Sequence, residues 1–361
     1  MTLYGGANGG ANGGANGGAN GGANGGANGA SDDGTFLRQH ADGARSPLLS
    51  QALIAAHDAL ANQWTGVPDQ VPGAHPADNG YLDRLRLPSK ELLLDSHLCG
   101  RLDVVGQDGR ATLRVDGIPV TRIDRPTAGG YFETQLGWLR AYADLRSDRM
   151  PEIYEQVRDI VAFFGALTYL DTERRRYTLL MLRAVRTLAI RVETVFKFYC
   201  RQKRPIDYSI RVQPMIQTPD HSSFPSGHAT EAFAMATVLY RLMAPGETGG
   251  ALLNGSPQEG IDRQAMPFLC AHRIATNRTV AGVHFPADSH AGALLGCQIG
   301  EIFHRMATTG GEVAVRDWAP LDPQDDFLLS TFQLGGTGAT VTVATDAVLR
   351  SLYSRAQAER I

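Results

Sequence analysis

The stretch RRRYTLLMLRAVRTLAIRVETVFKFYC, residues 174–200, decides the fold. Leu182, Val185, Ala189, Val192 and Phe196 recur at alternating three- and four-residue spacing, which puts one apolar stripe on a helix facing a core. The same helix brings Lys197 to its carboxyl end. Downstream, SGHATEAFAMATVLYRLM predicts a second helix starting at Pro225-Ser226-Gly227-His228. The segment 264–283 predicts a third. Pro286 marks the first turn of a fourth, which runs through Met306 and is rich in Ala and Gly, so that helices can pack closely. Residues 151–310 therefore read as a helical bundle in a mainly α chain.

Three clusters in this region carry chemistry. The first is Lys197-x6-Arg204-Pro205, the second Pro225-Ser226-Gly227-His228, the third Asn277-Arg278-x5-His284-x3-Asp288. Lys197 and Arg204 are about two helical turns apart and would share a face. A lysine offers a point charge to an oxyanion, and an arginine a planar fork that grips two oxygens. Arg278 supplies a second fork. A helix starting at PSGH would direct its first N–H groups and the Ser226 hydroxyl at the same anion. Of the two histidines, one can attack phosphorus and the other can protonate a departing oxygen. Asp288 is spaced to orient His284. Each motif alone reads as something plainer: a solvated helix face, a helix cap, a local hydrogen bond. Their order and complementary roles in one apolar stretch point to a shared anion site.

These clusters resemble the signature KxxxxxxRP, PSGH, SRxxxxxHxxxD of the superfamily that joins type 2 phosphatidic acid phosphatases, bacterial acid phosphatases and vanadium haloperoxidases. The likeness covers roughly residues 155–306, with Asn277 in place of the usual Ser. It implies a helical bundle of that type. His284 would be the nucleophile, or the ligand to vanadium in a peroxidase, and His228 the acid–base residue. Lys197, Arg204, Ser226, Gly227 and Arg278 would hold the oxyanion, and Asp288 would orient His284. Asn277 and His221 would sit beside the site. The expected activity is hydrolysis of a small phosphomonoester through a phosphohistidine, with no cofactor. The alternative is a vanadate-dependent haloperoxidase acting on halide, peroxide and an organic substrate, and a further one is a non-catalytic oxyanion-binding protein. His284-Phe285-Pro286-Ala287-Asp288 is similar to the phosphatase branch. His221, seven residues before His228, is similar to bromoperoxidases.

Composition narrows the classes. The 361 residues are 43% hydrophobic and 20% charged, enough apolar content for a sizeable core. A net charge of −3 without a basic patch argues against a nucleic-acid partner. Cys99, Cys200, Cys270 and Cys297 form no metal or redox pattern and read as free thiols, in keeping with a reducing compartment. The apolar run IVAFFGALTYL is too short to span a bilayer, and longer ones are broken by Arg183, Arg186, Arg191 and Glu193. The chain thus resembles the soluble branches, without a signal peptide, and is expected in the cytoplasm or another aqueous compartment. Six GGAN units from Gly5 to Asn28 cannot form a core, so residues 1–34 are expected to be a disordered tail.

Residues 35–150 suggest a helix after Ser46-Pro47, a β-hairpin or short meander broken at QDG and DG within 99–124, and a helix over Tyr131–Arg146. Residues 311–361 suggest an extension with a short strand at 339–344 and a final helix from Asp346.

Overall fold

The computed structural model describes residues 47–61, 66–68, 70, 71, 73, 81–243 and 265–359. The GGAN units and the expected tail over 1–34 lie outside them. In chain order the longer helices are α1 (Pro47–Ala61), α2 (Leu87–Cys99), α3 (Tyr131–Tyr142), α4 (Arg146–Arg158), α5 (Arg176–Cys200), α6 (Gly227–Met243), α7 (Met266–Val280), α8 (Pro286–Ala307) and α9 (Ala347–Ala358). The strands are β1 (Leu102–Gln107), β2 (Arg110–Val115), β3 (Ile118–Asp124), β4 (Gly311–Ala314), β5 (Arg316–Asp317) and β6 (Thr340–Val343). The chain is mainly helical. Among the described residues no helix is long and apolar enough to cross a membrane.

Helix α6 is the axis of the core. Every residue from Gly227 to Leu242 is buried, and α5, α7 and α8 pack around it. The stripe Leu182, Val185, Ala189, Val192 and Phe196 of α5 is buried, as its spacing predicts. Helix α8 comes closest to α6, through Gly292, Gly296 and Gly300. A Cβ on Gly296 would overlap the Thr230 carbonyl oxygen and lie 2.9 Å from the Ala234 nitrogen. Those neighbours are backbone and cannot rotate away. Gly→Ala within a helix ordinarily gains about 1 kcal/mol. Here Gly296→Ala is expected instead to cost about 3 kcal/mol through overpacking. Chemical denaturation reads the sign directly, and an unchanged or higher midpoint would contradict this packing.

Of the two arrangements expected before the bundle, a hairpin or a short meander, the meander forms. β1, β2 and β3 make an antiparallel meander turned at Asp108-Gly109 and Asp116-Gly117, all four residues at positive φ. Two such residues in sequence match the twist of a tight hairpin. Ala111, Leu113 and Val115 of β2 face the core, and α5 packs against β1 and β2. β5, from the far end of the chain, then joins parallel to β3. Two residues of strand nearly 200 positions away leave no local periodicity to read.

The helix expected over Tyr131–Arg146 ends at Tyr142. A 3-10 turn at Ala143–Leu145 leads into α4, which holds Pro151 in its interior rather than beginning there. Ile153 and Gln156 are its only buried residues, so it has no apolar stripe to announce it.

The carboxyl-terminal segment closes the bundle. Asp346 caps α9 by accepting from the Val348 and Leu349 N–H groups, and α9 packs on α5 and α8. Glu359 then accepts from the Tyr177 and Thr178 N–H groups at 2.8 and 2.9 Å, capping the start of α5. Of the four free thiols, Cys200 and Cys297 are buried, Cys270 half-buried and Cys99 exposed.

Candidate active site

The three sequence clusters meet at one end of the bundle, where α5 ends, α6 and α8 begin and α7 turns towards α8. Arg204 follows α5 in extended backbone, held by Asp207 accepting from its N–H at 2.8 Å. Ser226 precedes α6, and its Oγ accepts from the Ala229 N–H at 3.4 Å as a helix cap. Its own N–H donates to the Asp288 carbonyl at 2.9 Å, joining the starts of α6 and α8.

His284 is buried, and both ring nitrogens are engaged. Nδ1 lies 3.0 Å from Asp288 Oδ2, and Nε2 lies 3.1 Å from Arg204 Nη1. A guanidinium can only donate, so Nε2 carries the lone pair and Nδ1 the proton. Asp288 is held in turn by the Phe285 N–H at 3.0 Å. Burial drives His284 well below the ordinary imidazole value, and Arg204, Lys197, His228 and His221 push the same way. A neutral ring with its lone pair on Nε2 is the nucleophilic form.

Arg204 also donates to the carbonyls of Val283 and His221, each at 3.0 Å, and its Nη2 lies 3.1 Å from His221 Nδ1. His221 thus sits against Arg204, one of the residues expected to hold the oxyanion. Burial lowers Arg204 to about 10. A cavity of about 690 Å³ reaches this edge of the site, with Lys197, Arg204, His221 and Ser222 among its lining residues.

Arg278 is fully buried. Nη2 donates to Gln156 Oε1 at 2.7 Å, while Nε and Nη1 have no hydrogen-bond partner. Burial brings the guanidinium down to about 9. Two orphaned donors on a buried cation are costly unless something negative meets them. A tetrahedral oxyanion fits that requirement.

His228, the second residue of α6, has Nε2 at 2.9 Å from the Gln156 carbonyl. A carbonyl only accepts, so Nε2 carries the proton. Burial, with Arg278 adding to it, drives this ring well below the ordinary value.

Asn277 belongs to the layer behind these groups. Its Nδ2 donates to Glu152 Oε2 at 3.0 Å and Gln156 Oε1 at 3.1 Å, and its Oδ1 accepts from Arg149 at 3.0 Å. Asn277 therefore holds Gln156, and Gln156 holds both Arg278 and His228.

A family model described as the PAP2 superfamily matches residues 176–311. The decaprenylphosphoryl-5-phosphoribose phosphatase of Mycobacterium tuberculosis, from strains CDC 1551 / Oshkosh and ATCC 25618 / H37Rv alike, is 30% identical over 143 residues. That is 40% of this chain and 67% of the relative. The chain belongs to the PAP2 superfamily. The match spans α5 to the start of β4, so α4 lies outside the PAP2 region yet supplies Gln156, Arg149 and Glu152 to its site.

These α4 residues leave no mark in the sequence, because a lone Gln on a polar helix carries no signal. Two buried carboxylates within the PAP2 region are likewise absent from the expected site residues. Glu231 pairs with Arg186 at 2.7 Å, and Glu193 lies 3.3 Å from Lys197. Glu193 was legible in principle, as an acid four residues before Lys197 on one helix, a spacing at which the two side chains meet.

Proposed function

We propose that this protein is a phosphatase hydrolysing small phosphomonoesters through a phosphohistidine on His284. The observation that carries this is the pairing, in one buried site, of the unprotonated His284 Nε2 with the two orphaned donors of Arg278. The phosphatase named among the PAP2 relatives supports the same reading.

In this mechanism the phosphoryl oxygens are held by Lys197, Arg204, Arg278, Ser226 and the first N–H groups of α6 at Gly227. Arg204 Nη1 leaves His284 Nε2 for a phosphoryl oxygen, which frees the lone pair. Nε2 attacks phosphorus, the P–O bond to the leaving group breaks, and the departing oxygen takes a proton from His228. Nε2–H of that ring is committed to the Gln156 carbonyl, so Nδ1 carries the transferred proton. The arriving dianion offsets the burial that disfavours the charged ring. Water then attacks the phosphohistidine, gives its proton to His228 and releases phosphate. Asp288 balances the charge that His284 gains. Fixed donors in a dry site lower the barrier most where charge develops.

The test uses two esters. Hydrolysis of nitrophenyl phosphate, with acid-labile label trapped on His284, is the expected outcome. His228→Ala should lose about 10²-fold more rate on an alkyl phosphate than on nitrophenyl phosphate, because only the alkoxide needs the proton. Equal losses on both would remove His228 from the acid role.

The orphaned Arg278 donors also fit vanadate, with His284 as its ligand; bound there, vanadate would supply peroxide activation for halide oxidation. His221 against Arg204 is the observation favouring this second reading. Vanadate-dependent bromide oxidation without phosphate release from any ester would replace the phosphatase reading with it.

A further inference from the structure

Lys197 is buried, with two of its N–H donors on backbone carbonyls and its ammonium in an ion pair. The partners are the Pro225 carbonyl at 2.5 Å, the Ser222 carbonyl at 3.3 Å and the Glu193 carboxyl at 3.3 Å. An oxyanion that reaches this ammonium must share it with the Glu193 carboxyl. The two carbonyls belong to the segment leading into α6, which is pinned by the Ser226–Asp288 bond. The carboxyl is the partner that chemistry can change.

Glu193 is an unusual group to find here. It is fully buried, and neither of its oxygens has a hydrogen-bond donor of good geometry. It lies against the first residue of α6, since a Cβ on Gly227 would come within 2.7 Å of both oxygens. A buried carboxyl therefore stands beside the helix start assigned to the substrate anion. Glu231, the other buried acid nearby, differs: Arg186 meets it at 2.7 Å and keeps it paired.

We propose that the Glu193 carboxyl is the resident counter-ion of Lys197, and that an oxyanion enters the site together with a proton that neutralises this carboxyl. The proposal rests on the oxyanion-site reading above. Two negative charges a few ångströms apart in a dry site repel by several kcal/mol. Protonating Glu193 removes that repulsion and releases Lys197 in one event. The proton comes from solvent and returns when the anion leaves. The charged groups acting on Glu193 are Lys197 on its own helix, Glu231 on α6, and Arg204 from the loop after α5. Burial outweighs the two cations and lifts the carboxyl to about 7. Proton uptake on anion binding is then expected above pH 7, because below it the carboxyl is already neutral.

Sulfate is the suitable probe, since its charge is constant from pH 6 to 9 and it cannot be hydrolysed. Titration calorimetry of the full chain at pH 8, in two buffers of different ionisation heat, reads the protons taken up. Wild type is expected to take up a proton. Its sulfate affinity should hold below pH 7 and fall above it by about tenfold per pH unit. Glu193→Gln, the neutral isostere, should lose that uptake and flatten the fall by about one tenfold step per unit. It should also bind sulfate more tightly than wild type at pH 8.5. Equal uptake in the two proteins, no uptake in wild type, or weaker binding by Glu193→Gln would each overturn the proposal. If Glu193→Gln does not fold, Glu193→Asp, which withdraws the carboxyl by one methylene, must move the midpoint of the sulfate pH profile. An unmoved midpoint also overturns it. Failure of ester hydrolysis leaves the sulfate titration readable, so the two readings fail separately.

Discussion

His284→Ala should lower kcat/KM on nitrophenyl phosphate by about 10⁴-fold or more, the scale on which removing a nucleophile acts. In the proposed mechanism Nε2 of His284 is the attacking atom, and His228 Nδ1 serves the leaving group. His228 is held by its Nε2 on the Gln156 carbonyl, Glu193 is paired with Lys197, and Asp288 accepts from the Phe285 N–H. Acid-labile phosphate label should disappear from the variant, while circular dichroism and inorganic phosphate binding persist. Phosphate binding should survive because Lys197, Arg204 and Arg278 remain. Turnover near the wild-type rate would remove His284 from its role, and loss of helical signal would make the kinetic result a folding effect.

Arg278→Lys is expected to cost about 10²- to 10³-fold in kcat/KM, as loss of oxyanion donors does elsewhere. The guanidinium serves two sides at once: Nη2 is fixed by Gln156, while Nε and Nη1 are left for the anion. A lysine ammonium is a point charge on a flexible stem and cannot satisfy both. On the proposed mechanism its loss should fall mainly on kcat, because donors aimed at oxygens that gain charge in the transition state act there. A vanadate inhibition constant is the direct readout. If vanadate binds Arg278→Lys as tightly as wild type, Arg278 does not contact the oxyanion. Gln156→Leu leaves the fork present but untethered and should fall between the two proteins on both measurements.

The bundle was legible because its signal is local. A buried stripe at helical spacing, a Pro at N1 and a small-residue start each act within a turn or two of chain. Hence α5, α6, α7 and α8 lie within a few residues of their expected bounds. The candidate oxyanion residues were legible for a related reason: each sits at a helix end, where motif and backbone geometry coincide. The close α6–α8 approach was foreshadowed by Gly and Ala, although which glycine meets backbone was not.

What only the tertiary structure decided comes from residues whose meaning lies in a distant partner. Gln156 is an ordinary polar residue until α4 lies against α7. There it holds Arg278 by its side chain and His228 by its carbonyl. β5 becomes a strand only because β3 offers it an edge, and Glu359 becomes a cap only because α9 ends beside the start of α5. Glu193 shows the difference most sharply. Sequence places it four residues before Lys197 on one helix, a pairing that on a solvated face would be worth a few tenths of a kcal/mol. Burial against Gly227 removes the water that would screen it, and turns an ordinary ion pair into the dry contact on which the proposed proton coupling rests. Periodicity and caps are properties of neighbouring residues and can be read along the chain. Desolvation is a property of everything packed around a group, and exists only once the chain has folded.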